Sequence, residues 1–231
     1  MLSSVLQQRG DIPKIVFNVA YPKNNGNPAT ENVCSFFTQH GLTIRETVYA
    51  DEIAIQRRGL VRNAQIDGTK CDYMLFADSD MVYSPHFFED LGQKLAGELG
   101  NETRCISTTR VSLGKEFCID YFRNQDNHTY PCVIENVADI VSKWPVYRIS
   151  RSCGAGYFQL ASVKSIQANG GLYVEPSKCA DIPEHERFHK TRSDKQFRRR
   201  IGGTKHIKTL PQYHLNHVRD NEVGYHTKEQ R

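Results

Sequence analysis

Three times in its first 100 residues this chain sets an apolar run, a turn and an amphipathic stretch one after another. Residues 14–20, KIVFNVA, form an apolar strand that stops at Tyr21-Pro22, and residues 29–40 read as a helix closed at His40-Gly41. Residues 42–48 alternate as a second strand, and Ile53, Leu60, Val61 and Ala64 fall at roughly helical spacing within 52–67, before Gly68. Tyr73–Ala77 is a third strand, and Pro85 opens a helix with Phe88, Leu91 and Leu95 along one face. Such alternation predicts an α/β fold with a Rossmann-like, mainly parallel central sheet and helices on both sides.

The second half is less regular. Strands are predicted at 104–109, 116–122, 145–149 and 156–160, and helices at 134–142, 161–168 and 193–202. No repeat or Ser/Pro-rich linker divides the 231 residues, so one domain is expected: a first half over about 12–100, a second over about 101–218, and a polar tail at 219–231. That tail suits a loosely held end or a lead into a further domain.

The third strand ends in "LFADSD", delivering Asp78 and Asp80 two residues apart. Two acids on the same side of an extended segment repel each other unless something cationic lies between them. In an open sheet, ligands bind at the carboxyl ends of parallel strands. A hard divalent cation, Mn²⁺ or Mg²⁺, is the natural guest, with substrate phosphates as its remaining ligands. The plainer alternative is an acid pair capping the helix after Pro85.

Charge and composition narrow the field. Net charge is +4, but eight Lys/Arg and one acid fall between Arg187 and Lys205, a solvated helix face or a surface for an anionic partner. No zinc finger, RNP-like strand or helix-turn-helix is present, so a nucleic-acid role is not expected. No run approaches the ~18 apolar residues of a membrane span. The N-terminus MLSSVLQQRGD lacks a signal peptide's apolar core. Seven scattered cysteines without a CxxC pair predict reduced thiols and a cytoplasmic setting.

The segment "GLVRNAQIDGTKCDYMLFADSD" resembles the nucleotide-sugar-dependent glycosyltransferases of the GT-A fold, near the family 2 type. Arg62-Asn63 and Asp78-Ser79-Asp80 occupy the matching positions. "FNVAYP" resembles the family's opening strand, which implies base-cradling roles for Asn18, Ala20 and Tyr21. "SCGAGYFQLASVKSIQANGG" resembles the sugar-binding floor and "SDKQFRRRIGG" the acidic motif that opens a helix with a basic end. The likeness is patchy but runs in the family's order from about 14 to about 218, and a chlorella-virus type of domain is the nearest form. It implies a UDP-sugar donor, a glycan or glycoconjugate acceptor and, for a viral protein, the host cytoplasm.

Individual residues give separate physical support. Arg58 and Arg62 are one helical turn apart and can face a diphosphate or pyrimidine, or simply solvent. Ser79 can bond the ribose or donor sugar. Gly154 and Gly156, around Ala155, permit close backbone approach to a ligand or merely a turn. Asp194 shares a predicted helix face with Phe197 and Ile201, so an inward carboxylate is expected; the alternative is a helix-end acid favoured by the dipole. The resemblance implies a general base there. The family usually has two adjacent acids where this chain has Ser193-Asp194, so retention of configuration stays open, with Asp194 then orienting the substrates.

His214 and His217 are three residues apart and fall on opposite faces of an extended segment, so one of them is expected at the site. The family's proline-to-histidine spacing, counted from Pro211, implies His217 as the metal or pyrophosphate contact. Two other classes compete: a nucleotidyltransferase, which wants a Gly-rich basic loop where this chain has "YPKNNGNP", and a non-catalytic nucleotide- or carbohydrate-binding module, which has no need of an inward Asp194.

Overall fold

The computed structural model describes residues 1–23, 29–49, 58–66, 69–123, 133–150, 157–169 and 193–216; for 58–60, 122–123 and 193–196 only the backbone is described. The first part follows the predicted alternation. A short helix α1 (Leu2–Leu6) precedes β1 (Val16–Pro22), α2 (Ala29–Gln39), β2 (Thr43–Tyr49), α3 (Arg58–Ile66), β3 (Tyr73–Ala77), β4 (Met81–Tyr83) and α4 (Phe87–Ala96). Then come β5 (Cys105–Leu113), α5 (Lys115–Arg123), α6 (Val137–Lys143), β6 (Val146–Ser150), β7 (Phe158–Ser162), α7 (Val163–Ala168), α8 (Ser193–Arg200) and β8 (Thr204–His214).

β1 and β2 pair in parallel, Val16 opposite Thr43 through Pro22 opposite Tyr49. The larger sheet has the order β3-β7-β5-β8-β4, with β6 added beside the second half of β5. It is mixed, which corrects the expectation of a mainly parallel sheet. β5 and β8 are parallel, but β7 runs antiparallel to both β3 and β5, and β4 antiparallel to β8. The physical reason lies in the connections: three residues, 78–80, join β3 to β4, far fewer than the dozen or so that a parallel crossover needs. A register break in the β5–β8 pair, where the partner jumps from Ile207 to Pro211, separates the two halves of the sheet.

β3 is packed on both faces, which is why its sequence is continuously apolar. Met74 and Phe76 lie with Ile66, Val163, Phe197 and Ile201 on one side. Tyr73 and Leu75 pack on the other, against the cluster of Phe87, Leu91, Phe158 and Leu160. Residues 116–122 are a helix, not the predicted strand. Their aromatic content suits a strand, but Cys118 and Tyr121, one turn apart, pack together into a cluster with Val137 and Ile140. Gly202 and Gly203, at φ 83° and 102°, turn the chain from α8 into β8 in a region that costs other residues steric strain.

α1 is held by side-chain amides. Gln8 Nε2 donates to the carbonyls of Ser84 and Ser4, at 2.8 and 2.9 Å, and its Oε1 accepts from Phe88 N at 3.0 Å. Gln7 does the same for Ile134 O and Val137 N. Gln8→Ala is therefore expected to leave part-buried backbone groups of the β4–α4 turn without partners and to cost about 1–3 kcal/mol, or roughly 2–12 °C in Tm. A thermal melt checks this; an unchanged Tm would show that water replaces the amide.

Candidate functional site

The acid pair sits where the apolar strand β3 gives out. Asp78 N–H donates to Tyr157 O at 3.3 Å, extending the β3–β7 ladder by one step past Ala77–Phe158. The next backbone groups make the turn. Met81 N donates to Asp78 O at 3.4 Å, the Met1 amino nitrogen to Ser79 O at 3.3 Å, and Leu215 N to Asp80 O at 3.0 Å. All three carbonyls of Asp78-Ser79-Asp80 are thus engaged, and the turn is tied to Met1, before α1, and to Leu215, just after β8.

β8 brings His214 to this turn. It stands opposite Met81 on one side and Ser112 on the other. Its Nε2 is 3.0 Å from Asp80 Oδ2 and its Nδ1 is 3.1 Å from Asn216 Oδ1. Asn216 Nδ2 in turn donates to Leu113 O, which places its oxygen toward the ring. Both ring nitrogens thus face oxygens. The spacing from Pro211 had favoured His217, which lies outside the described residues.

Tyr83, fully buried two residues into β4, is a further neighbour that the sequence did not single out. Burial first, and then the negative charges of Asp78 and Asp80, push its ionisation well above the ordinary tyrosine range. Its ring packs against Phe87 and Phe88, at centroid distances of 4.7 and 5.0 Å.

A second group of residues gathers on the Phe76 side of β3. The Arg62 guanidinium of α3 lies 5.1 Å from the Phe76 ring centroid. Phe197 of α8 meets the same ring edge-on at 5.5 Å and is fully buried. Asp194 belongs to the first turn of α8, three residues before Phe197, so the helix that bears it is anchored beside β3. Only the backbone is described at Asp194 and at Arg58, the first residue of α3.

β1 reaches this region through Gln65 of α3, whose Nε2 donates to Asn18 O at 3.4 Å. Asn18 is exposed and Ala20 half-buried. Tyr21 is buried, and its hydroxyl donates to Glu46 Oε2 of β2 at 2.5 Å. That hydrogen bond, then burial, raises the phenol's ionisation beyond its usual range. Tyr21 therefore tightens the β1–β2 pair, and its side chain is committed there. Gly154, Ala155, Gly156 and His217 lie outside the described residues.

Among the described residues no group of three or more His, Cys, Asp or Glu side chains is arranged to hold a metal. The acid pair offers two carboxylates on a fixed turn, with one imidazole already against Asp80. That donor set fits Mg²⁺ or Mn²⁺, which commonly take one or two protein carboxylates and fill their other positions with phosphate oxygens and water.

The signal for His214 lay in β8: Leu210, Gln212 and Leu215 are buried, so the strand lies against the core up to the residue beside Asp80.

No protein-family model matches the sequence, and no curated protein sequence matches it. Solved structures do. S. aureus TarS superposes with a TM-score of 0.53 at 14% identity, over 94% of this chain and 34% of that one. A glycosyltransferase involved in glycosylating the major capsid of PBCV-1 aligns over 93% of this chain and all of its own, at 12% identity and a TM-score of 0.32. The chain spans about a third of the length of the TarS chain. At this identity the likeness to TarS is one of fold alone.

Proposed function

We propose that this protein is a metal-dependent glycosyltransferase of the GT-A type, moving a sugar from a UDP-sugar to a hydroxyl of a glycan or glycoconjugate. The observation that carries this is the acid pair on a fixed turn at the end of a buried strand, with His214 against Asp80. The shared fold with TarS and the ordered series of family-like segments point the same way.

Asp78 and Asp80 would hold a divalent cation, which when bound neutralises the departing diphosphate as a Lewis acid. His214 orients Asp80. Arg62, stacked on Phe76 beside the same strand end, is a second source of positive charge for the leaving group. Asp194, on a helix anchored to Phe76, takes the proton of the acceptor hydroxyl onto a carboxylate oxygen in an inverting reaction. In a retaining reaction it orients the substrates instead. Among the described residues no helix is long and apolar enough to cross a membrane. Cys34 and Cys118 are buried as thiols, which supports a cytoplasmic setting.

The test is a calorimetric screen of nucleotide sugars with and without Mn²⁺, followed by product analysis with the tightest donor. A UDP-sugar that binds only with metal, and a glycoside product with released UDP, are expected. Failure of every nucleotide sugar to bind would overturn the reading. His214→Ala is expected to weaken Mn²⁺-dependent UDP binding about tenfold or more, in line with the loss of a residue that orients a metal ligand. The same measurement on His217→Ala separates the two histidines: a loss confined to His217→Ala would return the role to that residue.

A further inference from the structure

Arg110 is the one charged residue of β5 and the only position in that strand that is not fully buried. Its guanidinium lies 5.1 Å from the centroid of the Tyr157 ring. Among the described residues no carboxylate pairs with it, and its Nε is buried without an acceptor.

Two neighbours share that condition. In the register of the sheet, Gln212 of β8 stands between Tyr83 of β4 and Arg110 of β5. The Gln212 amide nitrogen donates to Thr108 Oγ1 at 2.6 Å, while its oxygen, like the Tyr83 hydroxyl, is buried without a partner among the described residues. Buried polar groups are nearly always satisfied, so this row has room in its chemistry for a polar guest. Gln212 and Tyr83 are closed off, at 0% and 1% exposure, and suit an internal water. Arg110 alone reaches outward.

Its place in the sheet is level with the turn that carries the acid pair. Leu75 and Ile106 both stand opposite Leu160, so β3 and β5 run in parallel two strand spacings apart, about 10 Å. Asp78 lies three residues beyond Leu75 and Arg110 four beyond Ile106. Both reach Tyr157: Asp78 bonds its carbonyl and Arg110 covers its ring. Arg110, three residues before the end of β5, therefore stands level with the turn that follows β3, at the carboxyl end of that strand, where open α/β sheets bind ligands. A partly desolvated guanidinium without an anion is costly, and its planar fork matches a phosphate or carboxylate in two contacts.

The geometry points to Arg110 as the residue that holds a substrate oxyanion, phosphate or carboxylate, at a subsite beside Asp78-Ser79-Asp80. Which substrate supplies it rests on the glycosyl-transfer reading: the donor's diphosphate, or an anionic group on the acceptor.

Calorimetry on wild type, Arg110→Met and Arg110→Lys tests this in two arms, UDP with Mn²⁺, and inorganic phosphate added to protein saturated with UDP and Mn²⁺. A loss of UDP affinity of about tenfold or more in Arg110→Met, partly recovered in Arg110→Lys, assigns the donor diphosphate. Unchanged UDP affinity with loss of the phosphate signal assigns an acceptor anion. No change in either arm removes Arg110 from substrate binding. If wild type binds no UDP, the functional reading fails by itself, and pyrophosphate titrated into wild type and Arg110→Met still decides the residue: equal affinities, or no binding to either, overturn the assignment. Should Arg110→Met fail to fold, Arg110→Gln, which keeps a polar end, replaces it.

Discussion

Asp80→Ala is expected to remove Mn²⁺-dependent UDP binding almost entirely, by about 100-fold or more in affinity, roughly 2.7 kcal/mol. The motive is the geometry of the turn. The backbone that holds Asp80 is fixed from Leu215, and this contact survives the substitution because it uses the carbonyl. What is lost is the carboxylate that His214 touches, and with it half of the paired charge that invites a cation. Asp78→Ala is expected to do the same. Chelation with EDTA gives an independent arm, since it should weaken UDP binding by wild type as much as either substitution does. UDP affinity indifferent to EDTA would overturn the metal role, whatever the variants show. A thermal melt of each variant separates loss of the ligand from loss of the fold.

Asp194→Asn should leave donor binding nearly normal and slow transfer by about 10²- to 10⁴-fold, roughly 3–5 kcal/mol in the barrier. Asparagine keeps nearly the volume and the polarity of aspartate and removes its basicity. The anchorage of α8 through Phe197 on Phe76 is untouched, so the helix keeps its place beside β3. A loss confined to turnover is the signature of an interaction made in the transition state. If Asp194 serves only the helix dipole, the cost appears as stability, about 1 kcal/mol or less, with turnover per folded molecule preserved. A transfer assay and a melt on the same purified variant decide between these outcomes.

The periodicity of the first 100 residues was enough to locate β1, α2, β2, β3 and α4, because each buries a face whose spacing is local. Strand direction was not legible. It depends on which distant segments pair, and the central pair joins Arg110 to Gln212, whose meeting leaves no mark in either neighbourhood. α5 was misread because Phe117, Tyr121 and Phe122 favour strands by composition, while packing around Cys118 favours a helix. The acid pair was legible as a feature, two carboxylates after an apolar run, and the structure sets it on a turn with His214 against Asp80. Its histidine was legible only as one of two. What sets His214 against the turn is its pairing with Met81 of β4 and Ser112 of β5, distant segments that leave no mark in the sequence around it.

The turn that carries Asp78, Ser79 and Asp80 is closed by Leu215 and His214, about 135 residues further along the chain. Local helices and the β1–β2 unit can form while those residues are still far away, but the loop between Asp80 and His214 must be shut before the turn is complete. Closing it requires β8 to add to β5 in parallel, the kind of non-local pairing whose entropy is met late in folding. Until then β5 offers an open edge to any other strand, including one from a second chain. The turn of Asp78, Ser79 and Asp80 is thus expected to be completed late in folding, together with the step that covers the edge of β5.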